Sequence, residues 1–309
     1  LSDAMELIDR TTDFIVSNQH LQLVDDLASS KRFKNIKLLN YVDEYDPDVQ
    51  KQFAVMTYRL SLDAYLVVFR GTDDTLIGWK EDFHMTYMDH VPAQKRAASY
   101  LQHVMKEFPK GRFLVAGHSK GGNLAAYACS YLPDSLFERV DVIYSYDAPG
   151  LNKAIIETEG YQRTSPNIRR FVPQGSIVGM MLEVPEPTTI VKSHALGGFA
   201  QHDAFTWEIK DYSFLTVSET SPDSQQTDLT LKQWVRETSA EERKKFFDTF
   251  FGIFLDAGIT SINDLTDLKQ LAKAKEILQN AQDLDPTERE MLERLAKQLI
   301  DTRVQAWKK

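Results

Sequence analysis

One cysteine in 309 residues, Cys129, cannot form an internal disulfide framework, and this points to a cytoplasmic protein. No apolar run approaches the roughly 20 residues that a membrane-spanning helix needs, so no transmembrane segment is expected. No charged-then-apolar leader opens the chain, although it starts at Leu1 rather than Met. Basic residues are in deficit: 36 Lys and Arg against 45 Asp and Glu give a net charge of -9. A nucleic-acid surface, which needs clustered cations, is thereby disfavoured, and the acidity is read as a solubility feature. The sequence has neither an H-x-x-x-H pair nor a cysteine pair, so a metal hydrolase is not expected and no cofactor is called for. Internal repeats and low-complexity tracts are also missing.

What is present is enough to build a large core, since 42% of residues are hydrophobic. The first 45 or so residues read as short helices and loops, with Leu21, Val24 and Leu27 at helical spacing. β-branched and aromatic residues over Phe53–Tyr58 and Ala64–Arg70 predict two strands of a hairpin. Strand and helix then alternate: a helix over Gln94–Phe108, a strand over Arg112–Gly117, a helix over Gly121–Tyr131 and a strand over Val140–Tyr146. Ile168–Val172 continues the pattern, with weaker strands around Thr189–Lys192, Phe205–Ile209 and Phe214–Val217. This order predicts an α/β fold with a mainly parallel sheet covered on both faces, with chemistry at the strand C-termini.

Ser218–Gln226 has the composition of a linker or exposed loop, and beyond it the chain reads as helical. The expected division is therefore 1–225 and a C-terminal helical region, 226–309. Ser239-Ala-Glu-Glu242 is a capping box, Gly258 is placed to end that helix, and Asp285-Pro-Thr-Glu288 starts another. The aromatic stripe Phe246–Phe254 reads as core-facing in preference to a lipid or partner surface.

The richest segment is Phe113-Leu-Val-Ala-Gly-His-Ser-Lys-Gly-Gly-Asn-Leu-Ala-Ala-Tyr127, a strand, a glycine-flanked serine and a helix. G-x-S-x-G in this context is a nucleophile elbow centred on Ser119, with Gly117 and Gly121 where side chains would clash. The Lys120 N–H, at the start of the helix, is placed to hold an oxyanion. A serine nucleophile needs a histidine base, and the chain has seven histidines. His20 and His103 fall on helices expected far from the strand ends, and His118 should point away from the serine. His84 and His90 precede it, whereas the α/β-hydrolase order runs Ser, acid, His. Of His194 and His202 the latter is preferred, because a glycine-started loop before Trp207 suits a mobile base.

The chain resembles the α/β-hydrolase superfamily, in particular the class 3 (fungal-type) lipases and a bacterial lipase-like family. Gly117-His-Ser-Lys-Gly-Gly-Asn-Leu-Ala125 is similar to the lipase elbow G-H-S-L-G-G-A-L-A, with Lys120 in place of leucine. Phe69-Arg-Gly-Thr72, followed by Trp79 and Asp82, looks like that family's F-R-G-[ST] strand end. The resemblance covers roughly Phe53 to Glu208 and implies an oxyanion donor at Thr72. It also implies an acid where Ser176 stands, in Val172-Pro-Gln-Gly-Ser-Ile-Val178. A serine cannot stabilise imidazolium by charge, so Asp147 is the expected replacement, ending a strand in a segment similar to the acid-bearing G-L-D-P-A of pancreatic-type lipases. Asp203 should point away from His202, while Asp82, Asp73 and Asp74 read as loop-ordering or solvated.

The resulting expectation is a serine esterase or lipase-like hydrolase with Ser119, His202 and Asp147 as catalytic residues and Thr72 and Lys120 as oxyanion donors. Its partner would be a small-molecule ester or lipid, with peripheral membrane contact conceivable. His84–His90 lies where lipases carry a lid, so Met85, Tyr87 and Met88 are candidates for acyl contact or for ordinary packing, and Gly175–Leu182 offers a second apolar wall. A thioesterase or peptidase would use the same nucleophile, and a non-catalytic binding protein the same fold.

Overall fold

In a computed structural model, residues 17–261 and 271–306 are described. The short helices expected within residues 1–16, and the start at Leu1, lie outside the described residues. Eight strands form one sheet in the order β1-β2-β3-β4-β5-β6-β7-β10. These are β1 (Lys37–Asp46), β2 (Lys51–Arg59), β3 (Ala64–Phe69), β4 (Arg112–His118), β5 (Val140–Tyr146), β6 (Ile168–Pro173), β7 (Thr188–Val191) and β10 (Thr216–Val217). Strands β3 to β7 run parallel, β1 and β2 extend one edge antiparallel, and β10 closes the other edge antiparallel to β7. A separate two-stranded ribbon pairs β8 (Ile209–Lys210) with β9 (Ser213–Phe214).

Helices α1 (Asn18–Ser29), α2 (Leu76–His84), α3 (Pro92–Glu107) and α4 (Lys120–Ser130) precede or link the strands. Four one- to two-turn helices follow, α5 (Asp134–Phe137), α6 (Lys153–Ile156), α7 (Glu159–Thr164) and α8 (Gly198–Gln201). The C-terminal helices are α9 (Pro222–Glu237), α10 (Ala240–Leu255), α11 (Leu271–Asp283) and α12 (Pro286–Ala306). Their starts follow local chemistry: Ser221 Oγ accepts from Ser224 N, Ser239 and Glu242 cap each other, and Asp285 Oδ1 accepts from Thr287 N and Glu288 N.

The main core lies between the sheet and helices α3, α4 and α7, around Phe53, Val67, Leu101, Phe113, Leu124 and Tyr161. Because α4 is buried along its whole length, its Leu124-Ala-Ala-Tyr-Ala128 run carries small residues that let it approach the sheet closely. A second cluster joins Leu76, Trp79 and Phe83 of α2 to Trp234, Phe247, Phe251 and Leu295 of the C-terminal helices. The parallel strands, the crossover helices and the strand–serine–helix turn make this an α/β-hydrolase fold with a C-terminal helical extension.

Three local expectations differ from the structure. Lys37–Asp46 is a strand, not helix or loop, held by antiparallel pairing to β2 that is interrupted by an irregularity between Leu38 and Asn40. Phe205–Ile209 is not a strand; Ala204–Thr206 form a single 3₁₀ turn, and only Ile209 enters the ribbon. Ser218–Gln226 is not a linker, because Ser221 caps α9 and Pro222 opens it, so that helix runs across position 225.

Candidate active site

Ser119 ends β4 and begins α4 with φ 56° and ψ -134°, a left-handed conformation that costs a non-glycine residue about 1–3 kcal/mol. Its N–H donates to Tyr146 O at 2.9 Å. Close packing explains the flanking glycines: a Cβ on Gly117 would lie 2.1 Å from Gly121 C, and one on Gly121 would lie 2.1 Å from Phe69 O. The turn therefore locks the serine at the C-terminal edge of the sheet.

Asp147 immediately follows β5, also at positive φ (40°), with no exposed surface. Its Oδ2 accepts from His202 Nδ1 at 2.7 Å and its Oδ1 from Ser176 Oγ at 2.5 Å. With the carboxylate as acceptor, the proton sits on Nδ1 and leaves Nε2 of His202 as the basic nitrogen. Ser176 Oγ also accepts from Gly179 N at 2.9 Å, and a Cβ on Gly179 would come within 2.6 Å of Asp147 Oδ1. Thus Ser176, after β6, holds the carboxylate that follows the neighbouring strand β5. Buried Arg170 donates to Ala148 O and Gly179 O, both at 2.7 Å, and ties the two acid-bearing loops together. Sequence reading missed Arg170, which looks like any strand residue in Ile168-Arg-Arg-Phe171.

His202 follows the short helix α8, and Gln201 braces the loop, accepting from Gly175 N and Trp207 Nε1 and donating to Ala195 O. His118 does not simply point away: its ring packs on His202 with centroids 4.4 Å apart, and its Nε2–H donates to His202 O at 2.8 Å. Burial, with the neighbouring His202, pushes its pKa down to about 4. His194 is exposed, with its N–H on Thr206 O. Asp203 accepts from Phe205 N and caps the 3₁₀ turn.

Thr72 and Lys120 lie at the ends of the adjacent strands β3 and β4. Thr72 Oγ1 donates to Asp82 Oδ2 at 2.5 Å, while Asp82 Oδ1 is buried without a hydrogen-bond partner. Burial raises the Asp82 pKa to about 6, with Lys120 and the Thr72 hydroxyl pulling it down. Asp73 accepts from Thr75 N and Oγ1 and orders the same loop. The Lys120 side chain is itself fully buried, its Nζ donating to Gln52 O, Gln52 Oε1 and Glu81 Oε2 at 2.8, 2.6 and 3.1 Å.

The His84–His90 segment is packed inward: Met85 is buried, and Tyr87 stacks in an aromatic group with Phe247. Burial raises the Cys129 thiol far above its ordinary range, so it has the chemistry of an inert core residue. Among the described residues no group of three or more His, Cys, Asp or Glu side chains is arranged to hold a metal ion. No described helix is long and apolar enough to cross a membrane.

The profile of the Mbeg1-like family matches residues 27–252. No curated protein matches the sequence. Among solved structures, the M37 lipase is similar at 16% identity and TM-score 0.41 over 55% of this chain and 64% of that one. The lipase of Rhizopus microsporus var. chinensis is similar at 17% identity and TM-score 0.40, over 69% of this chain and 73% of that one. The Rhizomucor miehei lipase in its propeptide complex is similar at 16% identity and TM-score 0.37, over 58% and 70%.

Proposed function

The chain belongs to the Mbeg1-like family, and on that premise we propose that it is a serine hydrolase that cleaves a carboxylic ester or lipid acyl group through an acyl-enzyme on Ser119. The observation that carries the reading is the 2.7 Å hydrogen bond from His202 to the fully buried Asp147 carboxylate, with the His202 ring packed on His118, the residue before the strained Ser119. In the first half-reaction Ser119 Oγ attacks the carbonyl carbon while His202 Nε2 takes its proton. Collapse of the tetrahedral intermediate breaks the ester C–O bond, and the same proton passes to the departing alkoxide. Water, deprotonated by His202, then releases the acid. Asp147 keeps the imidazole in the productive tautomer and stabilises its charged form.

Backbone N–H groups of Thr72 and Lys120 hold the oxyanion, each worth about 10²–10³ in rate. Support for Thr72 comes from the Asp82 carboxylate that fixes its hydroxyl, and for Lys120 from the buried anchoring of its side chain. In this reading residues 1–225 are the hydrolase domain and 226–309 a helical region packed on it, with α9 spanning the boundary. The single buried cysteine suits a reducing, cytoplasmic compartment. Turnover of p-nitrophenyl esters of graded acyl length tests the assignment. Ser119→Ala should abolish it, and Asp147→Asn should lower kcat by about 10⁴ while the fold persists. Absence of turnover by folded wild type across the series would count against an ester substrate.

A further inference from the structure

A cavity of about 910 Å³ lies between the hydrolase body and the C-terminal helices, a volume suited to a sizeable small molecule. Its walls on the body side are loops that leave the C-terminal ends of the site-bearing strands. Leu151 follows Asp147 and β5, and Met181 and Leu182 follow Ser176 and β6. The facing wall is supplied by Trp234 and Val235 of α9 and Phe250 of α10, and the surface between them is predominantly apolar.

Charge distinguishes this cavity from an ordinary packing defect. Lys153, Lys232, Arg236 and Arg243 line it against Glu157 and Glu183, so four cations face two anions on a chain whose net charge is -9. Lys232 is paired with Asp228, and Lys153 with Glu157. Arg243 is different: it is only 8% exposed, and its guanidinium donates to Thr86 O, Val235 O, Thr238 O and Thr238 Oγ1, all of them neutral acceptors. The carboxylate that acts on Arg243, Glu242, is itself paired with Arg294, so this buried cation keeps part of its positive potential in an apolar wall.

We propose that this cavity binds a single long acyl chain ending in an anionic head, with the chain against Leu151, Leu182 and Trp234 and the head toward Arg243 and Arg236. The C-terminal helices thereby form half of a lipid-binding site. Binding does not depend on Ser119 chemistry, so Ser119→Ala must retain it, which separates this inference from the hydrolase reading.

The test is quenching of tryptophan fluorescence in the full chain by 9,10-dibromostearate. Saturable quenching that is largely lost in Trp234→Phe is expected. Competing unbranched fatty acids should gain roughly threefold to fourfold in affinity per methylene until the cavity is full. Val235→Glu, which puts an anion in the wall, should abolish binding. As a variant that leaves the interior untouched, Lys153→Glu/Arg236→Glu should weaken stearate by about tenfold or more at low salt and leave displacement by hexadecanol unchanged. Displacement by stearate, by a lysophosphatidate or by both identifies the source of the anionic head. The proposal is overturned by unsaturable quenching, by equal quenching in Trp234→Phe, or by indifference to the double charge reversal. It is equally overturned if light scattering shows a dimer that Val235→Glu converts to monomer, because the face would then be a subunit interface.

Discussion

The imidazole of His118 is wedged against that of His202, and burial holds its pKa at about 4, where an unfolded histidine would titrate near 6.5. Between those two values the unfolded chain binds more protons than the folded one, so stability is full above pH 6.5 and is lost as pH falls toward 4. The contribution of this one residue is up to about 3 kcal/mol. Urea unfolding of the wild type should therefore weaken between pH 7 and 4.5. A His118→Gln variant, which keeps a donor for His202 O but cannot titrate, should weaken less, by about 2–3 kcal/mol. His84, also lowered to about 4 by burial, contributes equally to both proteins and cancels. Equal pH slopes would show that His118 is not held neutral. Nothing local in Gly117-His-Ser119 reveals this contact, because the partner ring belongs to a loop 84 residues away.

Lys120, Glu81 and Gln52 tie α4, α2 and β2 together at the level of elements. Glu81 has no exposed surface and accepts from Ala93 N, Gln52 N and Lys120 Nζ. Both proposed oxyanion donors hang on this tie, Lys120 directly and Thr72 through Asp82, the residue after Glu81. Removing one member of a buried ion pair leaves the other uncompensated, so Lys120→Met should destabilise the fold by about 3–5 kcal/mol. Adding Glu81→Gln should recover part of that loss, giving clear non-additivity in a double-mutant cycle by denaturant unfolding. Strict additivity would mean that the pair is not coupled. The elbow sequence displays Lys120 as a departure from leucine, but its burial follows from a partner 39 residues upstream. Strand β1 was hidden for a different reason: it is a mostly exposed edge strand, so its stabilisation comes from backbone pairing and not from an apolar face. In α9, the Ser221-Pro222 start has the composition of a loop because caps and loops draw on the same residues.

Across the whole molecule, the parallel core was legible because β3, β4 and β5 are short runs rich in apolar residues and the crossovers on either side of β4 carry helical periodicity. The geometry of the candidate site was legible where packing is local, as in the elbow glycines, and where topology puts a residue at a strand end, as with Asp147 beside His202. Arg170, Gln201 and Ser176 as a bridge to Asp147 were not, since their partners come from other loops. The aromatic stripe of α10 is divided: Phe247 and Phe251 enter the second core, whereas Phe250 is 39% exposed and faces the cavity. Such a division depends on what α2 and α9 place opposite, which helical periodicity alone does not specify. Helix α2 links the second core to the candidate site: its apolar side chains join the C-terminal helices while its Asp82 holds Thr72. The central claim concerns the serine at the other end of that arrangement. Its most direct test is intact-mass measurement after treatment with a fluorophosphonate, followed by peptide mapping. The account predicts one phosphonyl adduct, located on Ser119, slowed in Asp147→Asn and absent in Ser119→Ala; a folded wild type that stays unlabelled, or that is labelled elsewhere, would contradict it.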